Sequence, residues 1–534
     1  MKHPRTRLME SLSLVGLILL GFSPLWGQAA PPPITLTEQA ARQKLASALP
    51  MPQGFQQYVK DGKLQLSLAD AIRLAMANNT DIQLDKTQID TTNNAIGFAR
   101  APFDPLLNSS FSTQRSNSTT FLPGGVRLPS QLFQTYQLGL GQTFETGTNV
   151  QVSVLANKAS LTGIPTVVGN VSFSFAQPLL RGRGFLPNRG PILIAQRNLR
   201  QAHDTFKQEV SGIILNVVGQ YWNVVASRES LVVQKKSLDE AQQSYDHDKL
   251  SLEKGALPPL DIYRSESQVA ARRVSEIQAE YALKQAEDTF RRVIGADIDP
   301  NIRALDVDLT EAAEPAGELM TIDIAAALDK AMSERPELEA QGLQLANDDL
   351  NIKIAHNALE PNLSLTGTYQ GNGQNTTNNG PFLEALNQTF GFGSPTYGFG
   401  LSLNFPIKNH AGEASLGNAE VTKRHDLYSE RQLHQQITLD VTNSVHQLEQ
   451  SKLAMEAAKI ALDLAQKNLQ AEQRKYSLGA ETLFVVLQTQ TELASAEESL
   501  LQAQVGYQLA VVSVDNATGG LLDHFGVEVA SIGK

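Results

Sequence analysis

The residues able to do chemistry are few and badly placed for it. Nine histidines are scattered along 534 residues, and none has a partner four positions away, the helical spacing that holds a zinc ion. There is no cysteine, which removes disulfides, thiolate metal sites, thiol nucleophiles and acyl anchoring on cysteine. Gly182-Arg183-Gly184 followed by Gly190 has the wrong glycine spacing for a dinucleotide fingerprint, and no βαβ pattern surrounds it. Two carboxylate pairs, Asp246/Asp248 and Asp348/Asp349, read most simply as solvated helix faces. A net charge of −11 without a basic stripe argues against nucleic acid as a partner. The expectation is no catalytic residue, no cofactor and no metal site.

The dominant feature of the elements that carry these side chains is a duplication. At a shift of 224 residues, Gly255 falls on Gly479, Gly295 on Gly519 and Ala241 on Ala465. Both copies carry a seven-residue apolar ladder: Val217, Val224, Leu231, Leu238, Tyr245, Leu252, and Val441, Leu448, Met455, Leu462, Leu469, Tyr476. The last helix repeats it with Val486, Leu493, Leu500, Tyr507 and Val514. A strict heptad period belongs to helices that supercoil around neighbours. Small residues flank these ladders (Ser444, Ser451, Ala458, Ala465; Ala496, Ala503, Ala510, Ala517) and allow close side-by-side packing. Upstream the match returns at a shift of 256, with Ala75-Met76 on Ala331-Met332, so the first copy carries 32 extra residues between Pro105 and about Gly190. These residues predict an additional hairpin, with Thr143–Ala156 as one arm.

The N-terminus locates the chain. Lys2, His3, Arg5 and Arg7 precede the apolar run from Leu12 to Leu20, and Gly27-Gln28-Ala29 offers a small-x-small cleavage site, the pattern of a secretory signal peptide over 1–29. No later run is long and apolar enough for a spanning helix. Residues 30–66 read as a Pro-rich linker or surface arm. The first repeat is placed at 67–311, with a β insert at about 106–180, and opens with a helix from Ser67 (N-cap) to about Ala101. An inter-repeat linker covers 312–321. The second repeat covers 322–519, with a helix over Ile322–Asn357 and a β insert at about 362–407; 520–534 is a C-terminal tail.

In the inserts the period changes from seven to two. Tyr397, Phe399, Leu401, Leu403 and Phe405 alternate with Gly398, Gly400, Ser402 and Asn404; Tyr136, Leu138, Leu140, then Val150, Val152, Val154, then Val171, Phe173, Phe175 behave likewise. Such alternation predicts transmembrane β-strands, apolar side out and small polar side toward a lumen, the alternative being a soluble sheet with one face on a core. Gly- and Asn-rich stretches, 116–125 and 371–380, read as external loops. At most six strands can be counted, too few for a single-chain barrel. An open edge cannot face lipid, because unpaired backbone groups there cost several kcal/mol each. The barrel must be shared between chains.

The signal peptide, the duplicated helix–strand–strand–helix–turn–helix unit, the junctions Gln177-Pro178-Leu179-Leu180 and Phe405-Pro406-Ile407, and the turn Tyr476-Ser477-Leu478-Gly479 together resemble the TolC-like outer-membrane efflux proteins. The resemblance covers about Ser67 to Gly519. It implies a mainly α fold with a membrane β segment: internally duplicated long helical hairpins forming a trimeric α-barrel, continued by a shared antiparallel transmembrane β-barrel, of twelve strands in the family. It implies the outer membrane, a homotrimer, a periplasmic adaptor (membrane fusion) protein and an inner-membrane pump of the RND or ABC type. The helical turns at Leu252–Asp261 and Tyr476–Val485 would be the periplasmic tips. Glu253, Lys254, Gly255, Ala256, Leu257, Gly479, Ala480 and Thr482 are then candidates for adaptor contact. Asp261, Tyr476, Glu481, Val485 and Gln488 are candidates for the gate, with a Tyr476–Asp261 hydrogen bond or plain heptad packing of Tyr476. Where some relatives have a basic residue and then aspartates, this chain has Glu481, Val485 and Gln488, which puts an acidic ring at the constriction in doubt. Arg181, Arg183 and Arg189 flank the membrane interface, line the junction of barrel and helices, or stand as solvated loop charges. The expected function is an exit duct of a tripartite efflux or type I secretion system, not an enzyme. The rival is an envelope-spanning structural coiled coil or adhesin without a continuous pore.

Overall fold

The computed structural model describes residues 52–117, 131–161, 164–254, 260, 262–315, 317–375 and 382–529. The expected signal peptide, most of the expected arm and parts of both expected loops lie outside them, while Ser116 and residues 371–375 of those loops are strand. The chain forms two compact units, one of residues 94–196 and 347–422, the other of 50–93, 197–346 and 423–534.

The second unit is helical, with a small sheet. Strands β1 (Val59–Lys60) and β2 (Lys63–Leu66) form a hairpin, and β2 pairs in parallel with β7 (Asp306–Leu309). The last residues of the supposed arm are therefore strand, and Leu64 and Leu66 are fully buried. Helix α1 (Leu68–Asn78) starts as its sequence predicts: the Ser67 hydroxyl accepts from the Asp70 backbone N–H. The helix expected to run unbroken to Ala101 is interrupted, because Asn79 is extended, and α2 (Thr80–Arg100) starts afresh. Buried Asn79 organises the break: its Oδ1 accepts from Asp81 N–H at 2.8 Å, and its Nδ2 donates to the Val293 carbonyl at 2.7 Å. The repeat reproduces the break. Helix α6 (Ile324–Glu334) stops at extended Arg335, and α7 (Pro336–Asn357) begins on Pro336, a residue that disfavours helix in its predecessor.

Both breaks have a glycine pressed against them. Gly295 (φ +75°) follows α4 (Ile262–Val293), and Gly519 (φ +80°) follows the last long helix, α10 (Leu483–Ala517). A Cβ on Gly295 would lie 2.8 Å from the Asn78 carbonyl oxygen, and one on Gly519 would lie 3.1 Å from the Glu334 carbonyl carbon. The long helices α3 (Phe185–Glu253) and α9 (His410–Ser477) run as the heptads demand. Val217, Val224, Val441 and Leu448 are buried, and the Tyr221, Trp222 and Phe290 rings meet edge-on in the core. The short helices α5 (Pro300–Arg303) and α11 (Leu521–His524) close off the unit, Leu521 being fully buried.

The other unit holds a six-stranded antiparallel sheet in the order β3 (Leu106–Ser116), β4 (Gln131–Thr143), β5 (Asn149–Leu161), β6 (Ile164–Pro178), β8 (Asn362–Asn375), β9 (Pro395–Asn404). Four strands come from the first repeat and two from the second. The 32-residue excess is therefore a hairpin inside the same sheet, and its arm starts at Asn149, after a turn in which Gly147 has φ +87°. Register aligns the pleats across all six strands. Leu107, Leu140, Val152, Phe173, Tyr369 and Tyr397 stand opposite one another on one face. Asn108, Gly139, Ser153, Ser172, Gln370 and Thr396 do so on the other. On the apolar face Gly367 makes room for the Phe175 ring. Helix α8 (Phe382–Phe390) lies on the same face over Gly169, Gly371 and Gly373, with Ala385 and Thr389 fully buried against them.

Candidate functional site: the helical tips

The turn after α9 is built by backbone chemistry. Ala480 N–H donates to the Lys475 carbonyl at 2.9 Å and Gly479 N–H to the Tyr476 carbonyl at 3.0 Å, the paired bonds of a Schellman cap. That cap needs a left-handed residue, and Gly479 supplies it at φ +71° with open space around it. Thr482 then stands extended as N-cap of α10. Its N–H donates to Glu481 Oε1 at 2.8 Å, so the half-buried Glu481 carboxylate is occupied at the start of the helix. In the other turn Glu253 and Lys254 are exposed, while Gly255, Ala256, Leu257 and Asp261 lie outside the described residues.

Tyr476 makes a contact that sequence reasoning missed. Its hydroxyl donates to Asp248 Oδ1 at 3.0 Å, joining the end of α9 to α3. Asp248 is completely buried, its Oδ2 has no hydrogen-bond partner, and His247 Nδ1 stands 3.6 Å from Oδ1. The His247 ring also meets the Tyr476 ring edge-on at 5.9 Å. The expected partner, Asp261, lies outside the described residues; the partner seen here, Asp248, stands five residues before Glu253 on α3. The reading of Asp246/Asp248 and Asp348/Asp349 as solvated pairs is corrected: Asp246 and Asp349 are exposed, but Asp248 and Asp348 are buried. Each pair straddles a helix edge, and the spacing of two residues or one gives no hint of which member turns inward. The signal available for Asp248 was its place three residues after Tyr245, on the ladder's own face.

Around this link a pocket of about 280 Å³ is lined by residues of α3, α9 and α10, among them Glu240, Ser244, Gln473 and Gln490. Gln490 Nε2 donates to Ser244 Oγ at 3.1 Å. Further along, Ser230 donates to Glu498 and Lys236 to Glu497, so α3 and α10 are zipped by polar contacts. Burial pushes the Glu240 carboxyl above the usual carboxylate range, Glu497 and Asp239 adding to the effect and Lys236 and Arg272 opposing it. Of the remaining gate candidates, Val485 is half-buried and Gln488 exposed. Gln488 donates its amide to Glu492 at 3.0 Å, which sets a carboxylate one turn beyond the expected apolar and amide lining. Phe484, Leu487 and Gln488 line a groove of about 820 Å³ with Tyr263 and Arg264 of α4.

Elsewhere the glycines of Gly182-Arg183-Gly184 take φ +78° and +81° in the strand-to-helix junction, where Gly182 N–H donates to Asn357 Oδ1 at 2.8 Å. Arg189 pairs with Glu145 at 3.2 Å. Among the described residues no group of three or more His, Asp or Glu could hold a metal ion, and no helix is long and apolar enough to cross a membrane.

Duplicated long helical hairpins and a sheet with one apolar face have a counterpart among known families. The family described as outer membrane efflux protein matches residues 71–296 and 327–520, one stretch for each repeat. The chain belongs to that family. It is 21% identical over 471 residues to the toluene efflux pump outer membrane protein TtgC of Pseudomonas putida, covering 88% of this chain and 85% of that one. Its fold is similar to the Campylobacter jejuni CmeC outer membrane channel (TM-score 0.63, 15% identity, 89% of this chain and 94% of that chain). It is similar also to the Neisseria gonorrhoeae MtrE outer membrane channel in its open state (TM-score 0.62, 18% identity, 89% and 98%). This efflux protein is thus an outer-membrane transport component, and the tips described above are those of its long helices.

Proposed function

We propose that the mature chain assembles as a homotrimer in the outer membrane and forms the exit duct of a tripartite efflux or type I secretion system, with a periplasmic adaptor protein and an inner-membrane pump of the RND or ABC type. The observation that carries this reading is the six-stranded sheet, with one apolar face, one polar face and two open edges. Lipid can accept the apolar face, but the edges need further strands. The helices make a second argument. Val274 and Tyr281 on α4, and Leu439, Leu453 and Ile460 on α9, form apolar stripes in seven-residue register that stay more than half exposed in the single chain. Neighbouring copies would cover them. The relatives' names, an efflux pump component and an outer membrane channel, support the same reading.

In this assembly the exposed tip residues Glu253, Lys254, Gly479, Ala480 and Thr482 meet the adaptor, together with Gly255, Ala256 and Leu257. Tyr476, Asp261, Glu481, Val485 and Gln488 govern the opening. Electron microscopy of the detergent-extracted protein tests the proposal. A threefold cylinder with a lumen and a detergent belt at one end is the expected image. A solid rod, or a monomer without a belt, would replace the duct with a structural or adhesive role.

A further inference from the structure

The two edges of the membrane sheet are β3 and β9, both exposed along nearly their whole length. Five successive antiparallel pairings separate them, so they run in opposite directions and can pair antiparallel, copy to copy, without any change in the pattern. The sequence also fixes how they meet. Odd-numbered residues of both strands carry the apolar face (Leu107 and Phe111; Tyr397, Phe399, Leu401 and Leu403), so each pair across the seam must join odd to odd. Pro105 bounds β3 on the side where Pro406 lies beyond the end of β9. Aligning those ends sets Leu403 opposite the partner's Leu107 and Phe399 opposite the partner's Phe111, and it pairs all ten β9 residues. A slip of one residue would turn Phe399 onto the polar side.

This register has a geometric consequence. The row that starts at Leu107 and crosses six strands to Tyr397 would reach the partner's Thr113, six residues further along the strand. One residue of shear per strand is the ratio that tilts strands by about 36° in a closed barrel, within the ordinary range for membrane barrels. Side-chain pattern, strand ends and closure thus agree on one register.

We infer that β9 of each copy pairs with β3 of the next in this register, and that three copies close a barrel of eighteen strands rather than twelve. The copy number rests on the trimeric reading above; the strand count per copy and the seam do not. At a strand spacing of about 4.8 Å and that tilt, eighteen strands give a backbone diameter of about 34 Å, against about 23 Å for twelve. The cross-section is then roughly twice as large. Its wall is polar and mostly uncharged, with Asn108, Ser110, Ser153, Ser172, Thr368 and Thr396 facing inward.

The absence of cysteine in the chain gives a clean background for the test. The double variant Asn108→Cys/Ser402→Cys places two thiols on directly opposed luminal positions, where Cα atoms stand about 4.5–5.5 Å apart, within disulfide reach. Oxidation in native membranes should give a covalent ladder ending at three chains, and images of the parent should show a membrane barrel about 34 Å across. The pair Asn108→Cys/Gly398→Cys, four residues out of register, should stay monomeric on a denaturing gel; linking there instead would overturn the register. A trimer by native mass with no Asn108/Ser402 cross-link and a barrel about 23 Å across would mean that one hairpin leaves the wall. That result refutes eighteen strands and leaves the trimeric duct standing. A ladder ending at two chains would refute the trimer as well.

Discussion

The link between Tyr476 and Asp248 can be tested by removing a single oxygen. Asp248 is fully buried, and among the described residues its one hydrogen bond of normal length comes from the Tyr476 hydroxyl. The variant Tyr476→Phe keeps the ring against His247 and deletes only that donor. A hydrogen bond to a charged group contributes about 1.5–3 kcal/mol, and a buried acceptor left without it bears its full desolvation cost. That corresponds to roughly ten- to hundredfold in the equilibrium between the joined and separated ends of α9 and α3. Hydrogen exchange of the amides around Leu469–Ala480 reads this opening directly, because exchange through local opening speeds up in proportion to the open population.

The second half of the argument is a rescue. Asp248→Leu alone removes the buried carboxylate that accepts from the Tyr476 hydroxyl. The double variant Tyr476→Phe/Asp248→Leu replaces both polar partners by apolar groups of similar shape, a change that is often nearly neutral. Exchange in the double variant should return most of the way to the parent rate. Rates in Tyr476→Phe within a factor of about two of the parent, or a double variant as loose as the single one, would refute the assignment of this bond as the clasp. Where the tip also closes the duct, Tyr476→Phe should raise channel conductance in a planar bilayer in the same order.

Three further outcomes follow from the geometry. Gly295→Ala should lower stability by about 2–3 kcal/mol, since it adds left-handed strain to a contact with the Asn78 backbone; Gly479→Ala, strained but in open space, should cost about 1 kcal/mol, and thermal melts of both variants rank them. Glu240 holds its proton more tightly in the folded chain than free, so its contribution to stability is fully present below the ordinary value of 4.5 and is lost as pH rises through the shifted value. Glu240→Gln should therefore gain in melting temperature relative to the parent between about pH 4.5 and 7, and parallel curves would contradict the burial. Ser67→Ala should cost about 1 kcal/mol through the lost cap of α1, read by the same melts.

What could be read from the chain was whatever repeats along it. The heptads gave the long helices, because a period of seven survives any detail of packing, and the period of two gave the strands and their faces. The breaks at Asn79 and Arg335 divide on the same principle. Pro336 announces the second one, since proline constrains the residue before it wherever it stands. Asn79 announces less, because its local bond to Asp81 N–H could cap a helix anywhere, while its bond to the Val293 carbonyl lies 214 residues away. Asp248 is a mixed case: its place three residues after Tyr245 sets it on the ladder's face, but its partner Tyr476 is 228 residues distant. The extra hairpin was legible as a length but not as a location, because 32 added residues fit a loop or a wall equally well.

Pairing favours the wall, as proposed above for the eighteen-stranded barrel. Every strand of the sheet, the additional ones included, keeps one apolar and one polar face in a common register. A hairpin packed outside the wall would have no reason to place Leu140, Val152 and Phe173 in one row with Tyr369 and Tyr397, since that row has value only where lipid meets all of it at once. The uninterrupted row is therefore the physical ground of the proposed eighteen-stranded barrel, in which the length of an insert in the first repeat would set the width of the opening.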